Sequence, residues 1–186
     1  MSRFNSSNML RIVSGFSLTV SLTFSGGKAA VGDSENLIFL PYDAMKQDVV
    51  SCMENEDFLG EPESCARVSF ETCMKDWQVP ASRSKAASCN HHEYLIWREQ
   101  YQEVLLNMLY TAQSTDRDAA TDASPNIDAF AQIMSIESQW QQLRESECRY
   151  AMSLAAGGTA GNTIYPVCLA EFTAQRIALL NARRRK

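Results

Sequence analysis

The sequence has few of the groups on which metal binding, nucleotide binding and catalysis most often depend. It has two histidines among its 186 residues, which disfavours a His-rich metal site and most His-based chemistry. None of its eight glycines falls in the GxGxxG or GxxxxGK[ST] spacing that cradles phosphate groups. Basic residues are also in deficit, with 17 lysines and arginines against 22 aspartates and glutamates. We therefore expect no cofactor, no metal ion and no nucleic-acid partner.

Stretches in which apolar and polar residues alternate are also missing, so β-strands have little support. Apolar residues instead recur at steps of three and four, the spacing of one helical face. The chain is 45% apolar and 21% charged, the balance of an ordinary globular protein. We predict an all-α fold: a disulfide-stapled antiparallel helical bundle with two short N-terminal helices and three longer ones.

The N-terminal thirty residues have a different composition. Arg3 and Arg11 precede an apolar stretch at residues 12–24, and small residues follow at positions 27–30. A basic start, a short apolar stretch and small residues at a cleavage site are typical of a secretory signal peptide. The apolar stretch is shorter than the ~20 residues that a membrane span needs. We predict a signal peptide at residues 1–29 and a periplasmic or secreted protein.

The expected mature chain is more acidic than the whole sequence. Removal of residues 1–29 takes away three basic residues and no acid, which leaves 14 basic and 22 acidic residues, a formal charge of −8. Because no cysteine precedes Cys52, we expect no lipid anchor on the mature chain. We divide that chain into an N-terminal extension (30–42), a helical domain (43–182) and a basic tail (183–186).

Six cysteines in an exported chain indicate three disulfides. The smallest spacing between two of them is eight residues, whereas a zinc site needs close CxxC-like pairs. Six cysteines allow fifteen pairings. Sequential pairing closes one helix-to-helix turn with each bridge, and we expect Cys65 and Cys73 to share one helix at a spacing too long for a bond. The predicted bridges are Cys52–Cys65, Cys73–Cys89 and Cys148–Cys168.

Helical spacing and breaker residues set the expected elements. Helices are predicted at 43–54, 64–75 and 85–111, with an exposed connection at 114–125. A fourth helix is expected to begin at Pro125 with Ser124 as its N-cap, and to stop at Gly157 and Gly158. A last helix then runs from Tyr165 or Pro166 to the end. The expected inner face of the fourth helix comprises Phe130, Ile133, Trp140, Leu143, Cys148, Ala151 and Leu154.

The last two helices carry matching spacings. Trp140, Arg144 and Cys148 are four residues apart, and so are Cys168, Phe172 and Arg176, so each set shares one helical face. A Cys148–Cys168 bond in an antiparallel pair places Arg144 beside Phe172 and Trp140 beside Arg176. We predict a cation–π contact between Arg176 and Trp140, with Glu137 as the acid that pairs with the guanidinium.

These residues resemble a known family. The segments WQQLRESEC at 140–148, GGT at 157–159 and CLAEFTAQRIAL at 168–179 are similar to the signature of the LprI-type lysozyme inhibitor domain of exported bacterial proteins. The upstream positions Cys73, Cys89, Glu93 and Trp97 extend the resemblance. Departures are Glu145, where the family usually has Asp, and Arg98. The framework positions that the resemblance implies are Trp97, Trp140, Arg144, Gly157, Gly158, Thr173 and Arg176.

The resemblance implies a non-enzymatic protein that binds and inhibits lysozyme. Animal lysozymes are basic, and an acidic protein would be attracted to them. An inhibitor must also bring polar groups to two catalytic carboxylates, and the loop between the last two helices offers Thr159, Asn162, Thr163 and Tyr165. The alternative is a structural or envelope-stress interaction module with an unrelated protein partner. An enzyme is disfavoured, because nothing orients the pairs His91–His92 or Glu93–Glu99, and we interpret them as surface residues near a disulfide.

Overall fold

The computed structural model describes residues 40–121, 128–155 and 160–184, and every element within them is helical. The elements are α1 (Tyr42–Glu54), two 3-10 turns (Glu56–Leu59 and Pro62–Cys65), α2 (Phe70–Asp76), α3 (Arg83–Thr121), α4 (Ala129–Leu154) and α5 (Gly161–Arg184). The predicted all-α fold with two short and three long helices is confirmed. The predicted signal peptide, Gly157, Gly158, Thr159 and the last two residues of the basic tail lie outside the described residues.

The three long helices form the bundle. Cys148 of α4 is bonded to Cys168 of α5, and Glu137 of α4 contacts Arg176, so α4 and α5 are antiparallel. Tyr101 near the middle of α3 also reaches Glu137. The first turns of α3 and α5 lie side by side around Ala87 and Pro166. Therefore α3 and α5 begin at the same end of the bundle, where α4 ends.

The apolar core lies between the N-terminal elements, α3 and α5. Trp97 of α3 is fully buried and stacks on Phe58 of the first 3-10 turn, with ring centroids 6.1 Å apart. Other members come from α1, from the region of the second turn, from α2 and from α5. The buried apolar residues are Met45, Val49, Phe58, Cys65, Ala66, Cys73, Cys89, Ile96, Trp97, Tyr101, Ala170, Ala174, Ile177, Ala178 and Leu180.

Helix α4 does not have the apolar inner face that its sequence suggests. Phe130, Leu143 and Leu154 are exposed, so their expected burial is wrong. The buried residues of α4 are Glu137, Arg144 and Cys148. Polar contacts and one disulfide therefore replace the usual apolar stripe on this helix.

Several predicted boundaries are wrong. α3 continues through the expected exposed connection to Thr121, and α4 begins at Ala129 with Asp128 as its N-cap. Asp116 of α3 accepts hydrogen bonds from the backbone N–H groups of Ala129 (2.8 Å) and Phe130 (2.9 Å). This cross-helix cap fixes the start of α4 against α3. Because the capping side chain belongs to α3, the same contacts stabilise the helical form of this polar stretch.

The fifth and second helices also differ from expectation. α5 begins at Gly161, and Pro166 lies inside it, in the second turn, where the proline supplies no backbone N–H for the helical hydrogen-bond pattern. The predicted helix at 64–75 is instead a 3-10 turn ending at Cys65, followed by α2. Cys65 and Cys73 thus do not share a helix, contrary to our expectation.

The predicted disulfide pairing is confirmed. The bridges are Cys52–Cys65, Cys73–Cys89 and Cys148–Cys168, with Cα–Cα distances of 5.8, 5.7 and 5.5 Å. The second and third bridges join successive helices, whereas the first joins α1 to the second 3-10 turn. Within the described ranges, no helix is both long enough and apolar enough to span a lipid bilayer.

Candidate functional site

Four side chains of the signature segments meet inside the bundle. The Arg176 guanidinium donates from Nε to Glu137 Oε2 at 3.0 Å and from Nη2 to Oε1 of the same carboxylate. Both side chains are almost fully buried, at 8% and 4% exposure. The predicted pairing of Arg176 with Glu137 is therefore confirmed, and the pair is a buried one.

Trp140 lies beside this pair. The Arg176 guanidinium carbon is 5.4 Å from the centre of the Trp140 ring, and that of Arg144 is 4.9 Å from it. Tyr101 packs on the same ring, with centroids 5.0 Å apart. The cation–π contact predicted for Arg176 is confirmed, and Trp140 accepts a second cation as well.

Arg144 contacts a different neighbour from the one the register predicts. Its Nη1 donates to Thr173 Oγ1 at 3.1 Å, and Thr173 in turn donates to the carbonyl of Leu169 at 2.6 Å. The hydrogen bond thus lies one residue beyond the expected Phe172. This bond gives a structural role to Thr173, a signature residue for which the sequence predicted no partner.

Tyr101 completes the buried cluster. Its hydroxyl donates to Glu137 Oε2 at 2.9 Å and accepts from Gln141 at 3.3 Å. Burial, with a further contribution from Glu137, raises the pKa of Tyr101 to about 12, so its hydroxyl stays protonated. The signature residues, together with Tyr101 and Glu137, therefore hold α3, α4 and α5 together, and their burial leaves little surface for a partner.

The residues predicted to contact a partner lie at the start of α5. Asn162, Thr163 and Tyr165 are in its first two turns, so they belong to a helix and not to a loop. Asn162 is exposed, whereas Thr163 and Tyr165 are partly buried. Thr159 lies outside the described residues. The structure thus brings three of the four expected residues to one end of the bundle.

Tyr165 is held by α4. Its hydroxyl donates to Glu145 Oε1, which also accepts from Arg149 Nη2 at 3.0 Å. The hydrogen bond from Tyr165 and the neighbouring Arg149 lower the pKa of Glu145, while burial and Glu145 raise the pKa of Tyr165. We infer that Tyr165 positions the start of α5, which leaves Asn162 as the exposed side chain of the three, with Thr163 partly buried beside it.

A cleft of about 550 Å³ opens between the first turns of α3 and α5. A second cleft of about 450 Å³ shares Arg83 with it and reaches Thr163. The start of each helix carries partial positive charge, because the helix macrodipole is positive at the N-terminus, and the two starts lie at the same end of the bundle. The polar side chains that line the first cleft are Arg83, Ser84, Ser88, His91, His92, Asn162 and Tyr165.

The two histidines fit this donor-rich setting. His92 Nδ1 lies 2.7 Å from the carbonyl of Ser88, a contact in which the ring nitrogen donates. Burial, together with the neighbouring His92 and Arg98, lowers the pKa of His91 and so favours the neutral form of its ring. Among the described residues, no group of three or more His, Cys, Asp or Glu side chains could hold a metal ion.

An acidic surface segment lies elsewhere on the same molecule. Five exposed acids occur between the end of α1 and the second 3-10 turn, and no lysine or arginine falls between Gln47 and Ala66. The Cys52–Cys65 bridge closes this segment into a loop. Sequence reasoning used only the net charge, although the run is visible in the sequence. The acids are Glu54, Glu56, Asp57, Glu61 and Glu63.

Glu93 is a residue that sequence reasoning placed wrongly. It is 1% exposed, not a surface residue, and Ser69 donates its backbone N–H to Oε1 at 3.4 Å. Burial raises its pKa to about 8. Glu99 lies apart from it, on the surface, where it pairs with Lys46 at 2.7 Å. The two carboxylates therefore do not form a catalytic pair.

Comparison with known proteins agrees with the signature residues. Residues 63–180, more than half of the chain, match the family described as Lysozyme inhibitor LprI. No curated protein and no solved structure gives a significant match. The matched range contains α2, α3, α4 and most of α5, including the buried cluster around Trp140 and the donor-rich end of the bundle. On this evidence the chain belongs to the LprI lysozyme inhibitor family.

Proposed function

We propose that the protein is an exported, non-enzymatic inhibitor that binds a basic lysozyme and blocks its active site. The family match over residues 63–180 carries the proposal. Three disulfides support an oxidising, extracytoplasmic location, since such bonds are rare in reducing compartments. The signal peptide predicted at residues 1–29 belongs to the same proposal.

We assign the contact with the enzyme to the donor-rich end of the bundle. Lysozyme cleaves glycosidic bonds with two carboxyl groups that flank the scissile bond. Asn162 and Arg83 present hydrogen-bond donors at this end, where α3 and α5 both begin. Donors and partial positive charge complement such carboxylates, so this end suits the active-site cleft better than the acidic segment does.

The acidic segment has a separate part in the proposal. Lysozymes of animal hosts are basic, and the five exposed acids between Glu54 and Glu63 attract a basic protein over a distance. Charges of this kind raise the rate of association more than they lower the rate of dissociation. The segment thus speeds the encounter, and the start of α5 forms the inhibitory contact.

The experiment measures lysis of a cell-wall suspension by lysozyme at increasing ratios of the purified protein. We expect inhibition near one inhibitor per enzyme. The double variant Asn162→Asp/Thr163→Glu places acids opposite the enzyme's carboxylates and should weaken inhibition at least about tenfold. Gln175→Glu, an exposed change on the same helix, is the control and should leave inhibition unchanged.

A second pair of variants separates attraction from contact. Glu61→Gln/Glu63→Gln should slow association at low salt and leave the dissociation rate nearly unchanged. If the protein fails to slow any of a panel of basic lysozymes, the proposed function is wrong. The interaction-module alternative would then account for the fold.

A further inference from the structure

We propose that the outer face of α4 pairs two copies of this chain in an antiparallel dimer. Four large apolar side chains are exposed on this face, and the helices that the structure describes leave it uncovered. Their exposures are 46% for Ile136, 54% for Leu143, 62% for Tyr150 and 67% for Leu154. We call these four residues the outer stripe.

The spacing of the outer stripe is that of a helix-packing seam. Ile136, Leu143 and Tyr150 are seven residues apart, and Leu154 follows four residues later. Such spacing keeps side chains on one helical face and recurs where two helices pack along their length. The stripe is separate from the buried side of α4, where Glu137, Arg144 and Cys148 face the bundle.

The outer stripe is also self-complementary, as a two-fold interface requires. In an antiparallel pair centred on Leu143, Ile136 faces Tyr150 of the partner subunit, and the two copies of Leu143 meet at the axis. Gln139 lies within the same sector of the helix, and in this pairing it faces Glu147 of the partner subunit. The central pairs of this register therefore match apolar with apolar and amide with carboxylate, and Leu154 at the end of the stripe lies opposite Gln132 of the partner subunit.

The charge pattern favours a second copy over other partners. Glu147 is the only charged residue within about 40° of Leu143 around the axis of the described helix, at 100° per residue. In the antiparallel register this carboxylate meets an amide, which avoids a like-charge contact even though the whole chain carries a net charge of −5. A basic enzyme would meet only one acidic side chain on this face, whereas the acidic segment offers five, so the face is poorly suited to a basic partner. The inference is independent of the proposed lysozyme contact.

Sedimentation equilibrium of the purified disulfide-bonded protein, from low to high micromolar concentration, tests the proposal. We expect a reversible monomer–dimer equilibrium. Leu143→Glu places two carboxylates at the axis and should leave a monomer, with the melting temperature of the wild-type chain at concentrations where both are monomeric, because Leu143 is exposed. Leu106→Glu is the matched control, since Leu106 is an equally apolar, 67% exposed residue on α3.

The register is tested with two exposed changes at one position. Gln139→Lys should tighten the dimer by about threefold through two ion pairs with Glu147, and Gln139→Glu should weaken it by about as much. A chain that is monomeric throughout, a dimer that survives Leu143→Glu, or shifts of the same sign from both Gln139 variants would overturn the proposal. Loss of lysozyme binding by a monomeric Leu143→Glu chain would instead assign the stripe to the enzyme.

Discussion

Arg176 is almost wholly out of water, and Glu137 neutralises its charge inside the bundle. Removing one member of a buried pair leaves the other charge without a partner. Arg176→Ala should therefore lower the free energy of unfolding by about 3–5 kcal/mol. That is more than the ~0.5–2 kcal/mol of the cation–π contact with Trp140 alone.

Urea denaturation measures this loss, with Gln175→Ala as the exposed neighbouring control. Arg144→Ala should also destabilise the protein, because it removes the bond to Thr173 and the contact with Trp140. A loss below about 1 kcal/mol for Arg176→Ala would show that the pair behaves like a surface salt bridge.

The raised pKa of Glu93 predicts that the free energy of unfolding falls as the pH rises. Its pKa is about 8 in the fold and about 4.3 in an unfolded chain, so the unfolded state releases this proton first. The contribution of Glu93 to stability is therefore complete below pH ~4 and is lost as pH rises toward about 8. Glu93→Gln should remove this loss.

Thermal unfolding at pH 5 and pH 8.5 measures the effect in both chains. We expect the wild-type free energy of unfolding to fall between these pH values by at least about 1.4 kcal/mol more than that of Glu93→Gln, the equivalent of one pKa unit. Equal pH slopes in the two chains would contradict the assignment of a buried, neutral Glu93.

Residue-level contacts were predictable where helical spacing determines them. Four-residue steps and one disulfide place Arg176 at Trp140, and Glu137 lies one turn before that ring. The bond from Arg144 to Thr173 was missed, because side-chain length can shift a contact by one residue. The burial of Glu93 was also missed, since an acid at helical spacing is ordinarily assigned to the surface.

At the scale of the element, α4 depends on its bridge to α5 more than an ordinary helix would. Its buried residues are an ion-pair partner, an arginine and a cysteine, so little apolar burial holds it in place. Cys148→Ala/Cys168→Ala should lower the free energy of unfolding by about 3 kcal/mol, from the loop of 20 residues alone. Hydrogen exchange should rise most in α4.

Met53→Ala, a partly buried change in the core cluster on α1, provides the comparison, because it should destabilise the chain without selective exchange in α4. Uniformly raised exchange across the three long helices of the double-cysteine variant would contradict this view of α4.

The elements themselves were predictable to different degrees. The helix predicted at 85–111 lies within α3, and Trp97, Tyr101 and Ala112 are buried on one of its faces. The length of α3 was not predictable, because it depends on hydrogen bonds between Asp116 and the start of α4, and local sequence patterns do not reveal such distant contacts. The inner face of α4 was predicted correctly at Cys148 and Trp140 and wrongly at Phe130, Leu143 and Leu154, because a polar cluster takes part of the buried side.

At the scale of the whole molecule, two regions of different charge character are kept apart. The acidic segment lies around the two 3-10 turns, and the donor-rich end lies at the starts of α3 and α5. Disulfides brace both, since Cys52–Cys65 closes the former and Cys148–Cys168 ties α5 to α4 near the latter. Rigid presentation of this kind reduces the entropy lost on binding.

The central claim is that this protein binds lysozyme at its active site. Calorimetric titration of the protein into lysozyme, with and without a saturating N-acetylglucosamine oligosaccharide that fills the enzyme's cleft, tests it most directly. We predict one-to-one binding that the oligosaccharide abolishes. Absence of binding, or binding of equal strength with the cleft filled, would contradict the claim.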